Sequence, residues 1–398
     1  MRLISDFHIH SRFARGCSKD ITLANLEKYA RIKGLGLLGT GDFTHPDWMK
    51  EIRPQLTDNG DGIFLTRTKF PFLLQTEISL IYTQGGKGRR IHHLLLSPSF
   101  EMCDQINETL AKHGNLRSDG RPIIGRYPSV ELAEDMHSIS PDIEIIPAHA
   151  WTPYFAIFGS KSGFNSVEEC FLENAKYIHA FETGMSSDPA MNWRVSALDK
   201  YNPVSNSDCH SFWPWRIGRE ANVFDIPLTY KAVLAAIRER KGFVETIETD
   251  PGYGKYHFDG HADCNYCQSP EITKKSKILR CPKCNKLLTI GVANRVEELA
   301  DRPVGFIKKN AIPFKKLIPL SELIAARHKV GVATKKTWLV YNKLIEFFES
   351  EFNILLNVPK EKLQSVVDEE LAKIIIRNRN EEIAVNPGYD GKYGEVSL

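Results

Sequence analysis

Ile4-Ser5-Asp6-Phe7-His8-Ile9-His10 decides the fold of this chain, because a short apolar segment ends there in a His-x-His pair. Side chains two residues apart on a β-strand point to the same face, so His8 and His10 project together. Two adjacent imidazoles can bind one divalent ion, and histidine is the commonest metal ligand in proteins. The pair therefore predicts a metal site at a strand end, and the alternative is two ordinary surface histidines.

Other short apolar segments carry further candidate ligands within or directly after them. A helix predicted over 21–34, which Thr22 can cap, begins a strand–loop–helix–strand rhythm. The rhythm continues through predicted strands at 35–39, 72–82, 90–96, 143–150, 177–182 and 203–210. This alternation predicts an α/β architecture, and α/β barrels carry their chemistry at the carboxyl ends of the strands. The candidate metal ligands are His8, His10, Cys17, Asp42, Glu77, His92, His93, His149, Asp208 and His210.

This ligand set is too large for one ion and predicts two or three divalent ions, with a carboxylate such as Glu77 bridging them. Mixed imidazoles and carboxylates suit Zn²⁺, Mn²⁺ or Fe²⁺, and Mg²⁺ is a further candidate. Such a site performs in-line displacement at phosphorus with an activated water. Catalytic roles are predicted for His8, His10, Glu77 and Asp208. Because side chains alternate along a strand, only one of His92 and His93 can face the site, and Glu182 is expected to fix a loop.

The second part of the chain differs from the first in charge. Residues 252–345 contain 18 Lys and Arg against 7 Asp and Glu, or +11, whereas the remainder contains 34 against 42, or −8. An acidic body with a basic second part is typical of an enzyme that docks on a polyanion, and the alternative is a solvated charged surface. A turn-rich stretch at 249–254 predicts that the first domain ends near residue 250.

Two Cys-x-x-Cys pairs, Cys264/Cys267 and Cys281/Cys284, are separated by thirteen residues and predict a four-Cys zinc ribbon. Four thiolates would complete the coordination of a structural Zn²⁺ without leaving a catalytic position. We therefore expect a catalytic domain at 1–250, a zinc ribbon at 251–291 and a helical DNA-binding segment with an extended tail at 292–398. The basic side chains expected to bind DNA on or beside the ribbon are Lys274, Lys275, Lys277, Arg280, Lys283 and Lys286.

If the polyanion is DNA, aromatic residues close to the predicted metal loops are candidates for holding a base extruded from the duplex. Trp151 and Phe155 follow His149, and Trp213 follows His210 between Phe212 and Trp215. Packing within the barrel explains each of these residues equally well. Arg216 is a candidate phosphate contact, and an ion pair within the domain is its alternative.

Composition also limits where the protein acts. No apolar run approaches the roughly 18 residues of a membrane span, and the N-terminus lacks the pattern of a secretory signal. We therefore expect no membrane partner and a cytoplasmic, nucleoid-associated protein with reduced thiols, acting as a monomer.

The ordered motifs of residues 1–250 resemble the PHP (polymerase and histidinol phosphatase) superfamily. They are the N-terminal His-x-His, a strand-end Asp42, a central Glu77, a strand histidine, Ala148-His149 and Ser207-Asp208-x-His210. The resemblance implies a distorted (β/α)7 barrel with a trinuclear metal site that cleaves phosphoesters. It favours His92 over His93 and places Cys17 at a ligand position. Gly41-Asp42-Phe43 departs from the superfamily's Thr-Asp-His, so Asp42 is expected to ligate there.

The whole chain is similar to the endonuclease Q family, in which a PHP domain precedes a zinc ribbon and a basic helical segment. The stretches 13–18, 215–220 and 387–391 add to this similarity. The resemblance implies a metal-dependent DNA endonuclease that nicks 5′ to uracil, hypoxanthine, xanthine or an abasic site, with damaged DNA and a sliding clamp as candidate partners. The alternatives are a small-molecule phosphatase of the histidinol-phosphate type and a DNA-binding module with an inactive barrel.

Overall fold

The computed structural model describes residues 1–276 and 279–397 of the chain. Its strands are β1 (Arg2–Asp6), β2 (Leu37–Gly39), β3 (Thr57–Asp58), β4 (Phe64–Leu65), β5 (Pro71–Gln84), β6 (Lys87–Ser97), β7 (Ile123–Gly125), β8 (Glu144–Pro147), β9 (Ala180–Glu182), β10 (Asn202–Val204), β11 (Ala221–Asp225), β12 (Phe243–Glu248), β13 (Asp259–His261), β14 (Tyr266–Gln268), β15 (Phe314–Lys316), β16 (Ala384–Asn386) and β17 (Glu395–Ser397).

The helices alternate with the strands in the first part of the chain and predominate in the last part. They are α1 (Leu23–Lys33), α2 (Pro46–Ile52), α3 (Phe100–Leu110), α4 (Ser129–Ile139), α5 (Val167–Phe171), α6 (Pro189–Trp193), α7 (Tyr230–Glu239), α8 (Pro270–Ser276), α9 (Val292–Leu299), α10 (Leu320–His328), α11 (Lys335–Phe348), α12 (Glu351–Leu356), α13 (Lys360–Gln364) and α14 (Glu369–Arg379). None of them, within the described ranges, is long and apolar enough to cross a membrane.

Seven strands, β1, β2, β5, β6, β8, β9 and β10, close into a barrel. β1, β2 and β5 pair in parallel, and β6 lies antiparallel between β5 and β8. The amide of Ala150 donates to the Glu182 carbonyl and so links the end of β8 to β9, which pairs in parallel with β10. The barrel closes where the amide of His10 donates to the Cys209 carbonyl and that of Cys209 donates to the His8 carbonyl. The antiparallel β6 makes it the distorted (β/α)7 barrel predicted from the sequence.

The loop between β5 and β6 explains the antiparallel strand. Gly85 and Gly86 both have positive φ angles, of 60° and 72°. Two successive left-handed residues form the tight turn whose twist matches that of a β-hairpin, and glycine adopts this conformation without a steric penalty. A turn this short leaves no room for a crossover helix, so β6 must return antiparallel beside β5.

The first helix shows how closely local sequence predicts the barrel. α1 starts after Thr22, whose side chain accepts a hydrogen bond from the amide of Asn25, and ends at Gly34 with φ 95°. Its buried residues, Leu23, Leu26 and Ala30, follow helical spacing along one face. The predicted cap and the predicted helix over 21–34 are therefore confirmed.

The C-terminal part of the chain packs directly on the barrel. β15 pairs in parallel with β12, which reaches β1 through β11. The ammonium of Lys33 at the end of α1 lies 2.7 Å from a carboxylate oxygen of Glu351 on α12, and both side chains are buried. The predicted helical segment at 292–398 contains six helices among the described residues, α9 to α14. The three-domain division remains a prediction.

Candidate active site and metal centres

Five strands of the barrel deliver polar side chains from their carboxyl ends to one place. His8 and His10 follow β1, Asp42 follows β2, His149 follows β8, Glu182 ends β9 and Asp208 follows β10. Asp42, His149 and Asp208 have φ angles of 42°, 31° and 48°, which non-glycine residues rarely adopt. Such backbone conformations persist only where the surrounding structure enforces them, and they are concentrated at functional sites.

Glu77, in the middle of β5, joins two groups of imidazoles. Its Oε1 lies 2.8 Å from Nδ1 of His92 and 3.1 Å from Nε2 of His149. Its Oε2 lies 3.2 Å from Nε2 of His10 and 3.4 Å from Nε2 of His8. Glu77 is fully buried, so its carboxylate interacts with neighbouring side chains and not with solvent.

Asp208 completes the group on the Oε2 side of Glu77. Its Oδ1 lies 3.1 Å from Nε2 of His10 and 3.4 Å from Nε2 of His8. The donor atoms of His8, His10, Glu77 and Asp208 all lie within 4.8 Å of one another, as do those of Glu77, His92 and His149. Glu77 therefore stands between two sets of potential metal ligands.

Two buried carboxylates hold the first histidine pair from behind. Glu182 Oε2 lies 3.0 Å from Nδ1 of His8 and accepts the backbone amide of His149 at 2.7 Å. Asp42 Oδ1 lies 3.0 Å from Nδ1 of His10, and its Oδ2 accepts the amide of Ser11 at 2.6 Å. A carboxylate on the far nitrogen fixes the ring orientation and tautomer of a ligating histidine. Both histidines consequently present Nε2 to Glu77 and Asp208.

The surrounding charges shift the pKa values of the site residues in opposite directions. Burial alone would lower the pKa of His8, but Glu182, Asp208 and Glu77 together raise it well above its usual value. Burial alone would raise the pKa of Glu77, but His92, Arg121 and His8 hold it well below its usual range. The site therefore stabilises anionic carboxylates at its centre, which is the state that divalent cations bind.

Arg121 is a site residue that sequence reasoning missed. Its Nη1 lies 3.1 Å from Oε2 of Glu77, and the largely buried side chain belongs to the segment that connects α3 to β7 in the chain. Glu77 raises the pKa of Arg121 against the effect of burial. Arg121 lies in an irregular segment, so no strand end or motif spacing pointed to it.

Several predicted ligands do not join either group. Asp42 contacts His10 from behind instead of facing Glu77, so its predicted role as a metal ligand is corrected. Cys17 is also outside both groups, and burial raises the pKa of its thiol to about 12. His210 turns Nδ1 to the Asp208 carbonyl at 2.9 Å and stands beside His10 at the edge of the site.

Strand alternation decides between the two adjacent histidines of β6. His92 faces Glu77, as the sequence predicted. His93 points to the opposite side of β6, where its Nε2 lies 2.8 Å from Oγ of Ser129 and its ring packs on Phe171. The inclusion of His93 among the ligands is therefore corrected.

The residues present fit a pair of divalent ions. Nε2 of His8 is buried and has no hydrogen-bond partner among the described residues, although it faces two carboxylates. Nδ1 of His92 and Nε2 of His149 lie 3.2 Å apart and share one oxygen of Glu77. A buried polar atom without a partner costs stability, and a cation between these donors would satisfy them all. Mixed imidazole and carboxylate donors suit Zn²⁺ or Mn²⁺.

A cavity of about 760 Å³ opens above this centre. His92, His149, Asp208 and His210 form its floor, as the polar end of the barrel. Its walls combine aromatic and basic side chains, namely Tyr154, Phe155, Tyr256, Tyr393, Arg216 and Lys255. The cavity thus offers ring faces and positive charge next to the candidate metal ligands.

The aromatic residues predicted to bind DNA lie in different surroundings. Phe155 lines the cavity, with its ring centroid 4.8 Å from that of His92, and Arg216 lines it as well. Trp151 is buried and donates from Nε1 to Asn192 at 2.6 Å, so its predicted contact with DNA is corrected to a packing role. Trp213 stacks on Trp215 at 5.4 Å and packs against Trp338 of α11 outside the cavity lining, and its contact with DNA remains a prediction.

The second candidate metal centre contains three cysteines and one histidine. The donor atoms of His261, Cys264, Cys281 and Cys284 lie within 4.8 Å of one another. Cys267 pairs with Gly260 in the β13–β14 hairpin, whereas His261 pairs with Tyr266 on the opposite face. Because side chains alternate, His261 points toward the other knuckle and Cys267 is exposed. The predicted four-Cys set is corrected to Cys3His, which also suits structural Zn²⁺.

Part of the basic surface predicted on the ribbon is engaged within the protein. Lys274 pairs with Glu297 at 3.0 Å, Lys283 donates to the Cys264 carbonyl at 2.9 Å, and Arg280 donates to the Asn285 carbonyl at 2.9 Å. Lys275 and Lys286 are exposed. Lys277 lies outside the described residues. Lys283 and Arg280 therefore stabilise the ribbon through hydrogen bonds to its backbone.

The C-terminal tail joins the ribbon to the cavity. Asp390 accepts the amide of Ala262 and the hydroxyl of Thr289, each at 2.6 Å. The amide of Gly391 donates to the Lys255 carbonyl, and Tyr393 lines the cavity. The predicted extended tail therefore forms one wall of the cavity, next to the Cys3His cluster.

Two solved structures are similar to the whole chain. One is the lesion-specific endonuclease PfuEndoQ of Pyrococcus furiosus, with 32% sequence identity and a TM-score of 0.89 over 100% of this chain and 96% of that one. The other is endonuclease Q in complex with a 27-mer duplex that carries an abasic lesion at the active site. Its TM-score and identity are the same, over 100% of this chain and 97% of that one.

Two uncharacterized proteins are also similar. YqxK of Bacillus subtilis is 27% identical over an alignment of 414 positions that covers 99% of this chain and 99% of that protein. MJ0043 of Methanocaldococcus jannaschii is 30% identical over 256 residues, which are 63% of this chain and 31% of that protein. The chain thus aligns with about a third of MJ0043. Residues 319–382 match the family described as the MJ0043 C-terminal domain.

The distorted barrel, with imidazoles and carboxylates gathered at one end, defines a metallohydrolase of the phosphoesterase class. At 32% identity over nearly the full length of both chains, this chain belongs to the endonuclease Q family.

Proposed function

We propose that this protein is a metal-dependent DNA repair endonuclease that nicks the phosphodiester 5′ to a deaminated base or an abasic site. Membership of the endonuclease Q family supports this function, as does the full-length similarity to a structure that contains an abasic lesion in a duplex. The proposal assigns the lesion strand to the cavity above Glu77, with its scissile phosphate at the cavity floor.

The position of Glu77 between two imidazole groups is the observation that carries the proposal. His8, His10 and Asp208 would hold one divalent ion with Glu77, and His92 and His149 would hold a second with the same carboxylate. When bound, such a pair of ions activates water and stabilises the attacking and leaving oxygens of an in-line displacement at phosphorus. Zn²⁺, Mn²⁺ and Mg²⁺ are the proposed ions. Cys17 and Asp42, which a third ion would need, lie outside both groups.

The chain's own side chains prepare the site in three ways. Glu182 and Asp42 hold His8 and His10 so that both present Nε2 to the centre. Arg121 stands against Glu77, where its guanidinium adds positive charge beside the phosphate position. Arg216 projects into the cavity as a candidate phosphate contact. Fixed positive groups aimed at developing negative charge lower the barrier because they need no reorganisation during the reaction.

The cavity suits a nucleotide taken out of its base stack. Its volume of about 760 Å³ is within the usual range of small-molecule pockets, and Phe155 and Tyr154 offer ring faces beside the metal ligands. Enzymes that act at a damaged base extrude it and stack it between aromatic or apolar side chains. Phe155 is the favoured stacking residue because it already contacts His92.

The second half of the chain has two proposed roles. The Cys3His cluster would bind a structural Zn²⁺ that stabilises the ribbon, and the ribbon and helical segment would contact the duplex. The domain division at residues 250 and 291, a monomeric state, contact with a sliding clamp and association with the nucleoid remain predictions.

A salt series distinguishes this function from that of a small-molecule phosphatase. The wild-type protein is assayed on a duplex with one deoxyuridine and on a small phosphate monoester, each with Mn²⁺ or Mg²⁺. Binding of a duplex through several phosphates weakens steeply with ionic strength, whereas hydrolysis of a small ester does not. The proposal expects duplex cleavage that is lost at high salt, with little monoester hydrolysis. Monoester hydrolysis without duplex cleavage would overturn it.

A further inference from the structure

A second groove lies beside the substrate cavity and is lined by basic side chains. Its volume is about 510 Å³, and its cationic residues are Arg89, Arg90, Arg126 and Lys161. No carboxylate lines the groove, and none of these four cations forms an ion pair within residues 1–276 and 279–397. We propose that this groove binds the backbone phosphates of the DNA strand that enters the cavity. The inference rests on the proposed function and deepens it.

The groove is continuous with the cavity through two aromatic residues. Tyr154 lines both spaces. The guanidinium of Arg90 lies 5.9 Å from the ring centroid of Phe155, which in turn contacts His92. A strand with its reacting phosphate beside Glu77 therefore finds the positive groove directly next to its exit from the cavity. This connection favours one DNA strand that occupies both spaces over an anion that binds only in the groove.

Hydrogen bonds hold the backbone that carries two of the groove cations. The amide of Arg126 donates to the Ile81 carbonyl of β5 at 2.9 Å, and Arg126 keeps a φ angle of 55°. The amide of Lys161 donates to the Pro153 carbonyl at 3.1 Å. Because the backbone is already ordered, only the two side chains lose conformational freedom when a phosphate binds.

Arg89 differs from the other three cations because its guanidinium is already engaged. It donates to the carbonyls of Gly163 and Gln84 and lies 3.9 Å from the ring centroid of Phe164. Through these contacts Arg89 stabilises the wall of the groove. Arg90, Arg126 and Lys161 are exposed and free to contact phosphates. Arg126 and Lys161 are the test positions, because both are exposed and neither lines the substrate cavity.

The test measures duplex binding and nicking separately. Arg126→Gln, Lys161→Gln and the double variant are compared with the wild type by fluorescence anisotropy on a labelled duplex with one lesion, over about 50 to 200 mM salt. Lys231→Gln on the exposed face of α7, away from the groove, is the matched control. Thermal melts check that the variants, all at exposed positions, remain folded.

We expect each single variant to bind several-fold more weakly at low salt and to reduce the slope of log affinity against log salt by about 1. The double variant should reduce it by about 2, while Lys231→Gln matches the wild type. In the nicking assay, KM should rise and kcat should stay unchanged, because the groove does not touch Glu77. Unchanged affinity and slope in the double variant would overturn the proposal that the groove binds DNA phosphates. A wild type that binds with the expected slope but never nicks would overturn the proposed function and leave the groove standing.

Discussion

Glu182 holds His8 from the side opposite the reacting centre: its Oε2 lies 3.0 Å from Nδ1 of His8, while Nε2 of the same ring faces Glu77 and Asp208. The same carboxylate accepts the amide of His149 and the side-chain amide of Asn206. One buried group thus links β9 to the ligand loops of β1 and β8.

Glu182→Gln should weaken metal binding without removing a ligand. The amide can no longer supply a negative charge behind His8, and partners of this kind are worth roughly 10- to 100-fold in metal affinity. We expect the lesion-nicking activity to fall and to recover in part as Mn²⁺ is raised. Titration of activity against metal concentration checks this. If the metal dependence of Glu182→Gln matches that of the wild type, Glu182 does not position His8.

His92→Gln and His93→Gln form a matched pair on one strand. His92→Gln should lose nicking and bind less metal, because His92 faces Glu77. His93→Gln should retain both, because His93 contacts Ser129 and Phe171 instead. It should lower the free energy of unfolding by about 1 to 2 kcal/mol through the disturbed hydrogen bond. Metal analysis of both purified variants is the measurement, and loss of barrel metal in His93→Gln would contradict the assignment.

Cys267→Ser and Cys281→Ser test the composition of the ribbon cluster. Cys267→Ser should keep one tightly bound Zn²⁺, because Cys267 lies outside the Cys3His group. Cys281→Ser should lose this zinc, and His261→Ala should weaken it. Structural zinc supplies folding energy, so Tm should fall only in the last two variants. Zinc loss in Cys267→Ser with full retention in His261→Ala would restore the four-Cys assignment.

Loss of the ribbon zinc should also loosen the C-terminal tail that lines the cavity. Asp390 bonds to Ala262 and Thr289 beside the cluster, and the same tail supplies Tyr393 to the cavity wall. We therefore expect faster proteolysis of the tail in Cys281→Ser than in Cys267→Ser. Equal protection of the tail in both variants would separate the ribbon from the cavity.

Glu248 should make the protein less stable as pH rises. Burial raises the pKa of its carboxyl from 4.5 to about 7, in a pocket where Thr246, Thr183 and Ser205 donate to it. Between these two pKa values the folded state keeps a proton that the unfolded state releases, so the stability contribution is complete below the unfolded value and is lost as pH rises through about 7.

Glu248→Gln should remove this loss, which amounts to about 3 kcal/mol once the group is ionised in both states. Chemical denaturation at about pH 5 and pH 8 measures it, with Glu101→Gln on the exposed face of α3 as the control. The unfolding free energy of the wild type and of the control should fall more over this interval than that of Glu248→Gln. Parallel changes in all three proteins would contradict the prediction.

The sequence predicted the α/β architecture and the ligands at the strand ends because both follow from local pattern, whereas the closed barrel was implied by the resemblance to the PHP superfamily. A His-x-His pair after β1 or a buried glutamate in β5 carries its own spacing signal. Spacing could not distinguish a residue that faces the centre from one that holds a ligand from behind, and Asp42 was therefore assigned as a ligand. Arg121 and Tyr393 reach the site from irregular segments distant in the chain, and only tertiary packing brings them there.

The sequence of the ribbon contains one further candidate zinc ligand, His261, which the prediction from the cysteine pairs leaves out. His261 precedes Cys264 by three residues, a spacing that can supply a ligand, but the two Cys-x-x-Cys pairs offered a complete set. The register of the β13–β14 hairpin places His261 in the cluster instead of Cys267, because it turns Cys267 to the face opposite His261. Register depends on pairing between strands, which neither strand's sequence specifies alone.

One nicking assay tests whether the barrel site cleaves DNA at a lesion. End-labelled duplexes with a deoxyuridine, a deoxyinosine, an abasic site or no lesion are incubated with wild type or Asp208→Asn, in Mn²⁺, Mg²⁺ or EDTA. We expect a metal-dependent nick immediately 5′ of the lesion by the wild type. We also expect Asp208→Asn to bind the duplex without nicking it. Cleavage by Asp208→Asn would remove Asp208 from the site, and equal cutting of the undamaged duplex by the wild type would exclude recognition of the lesion.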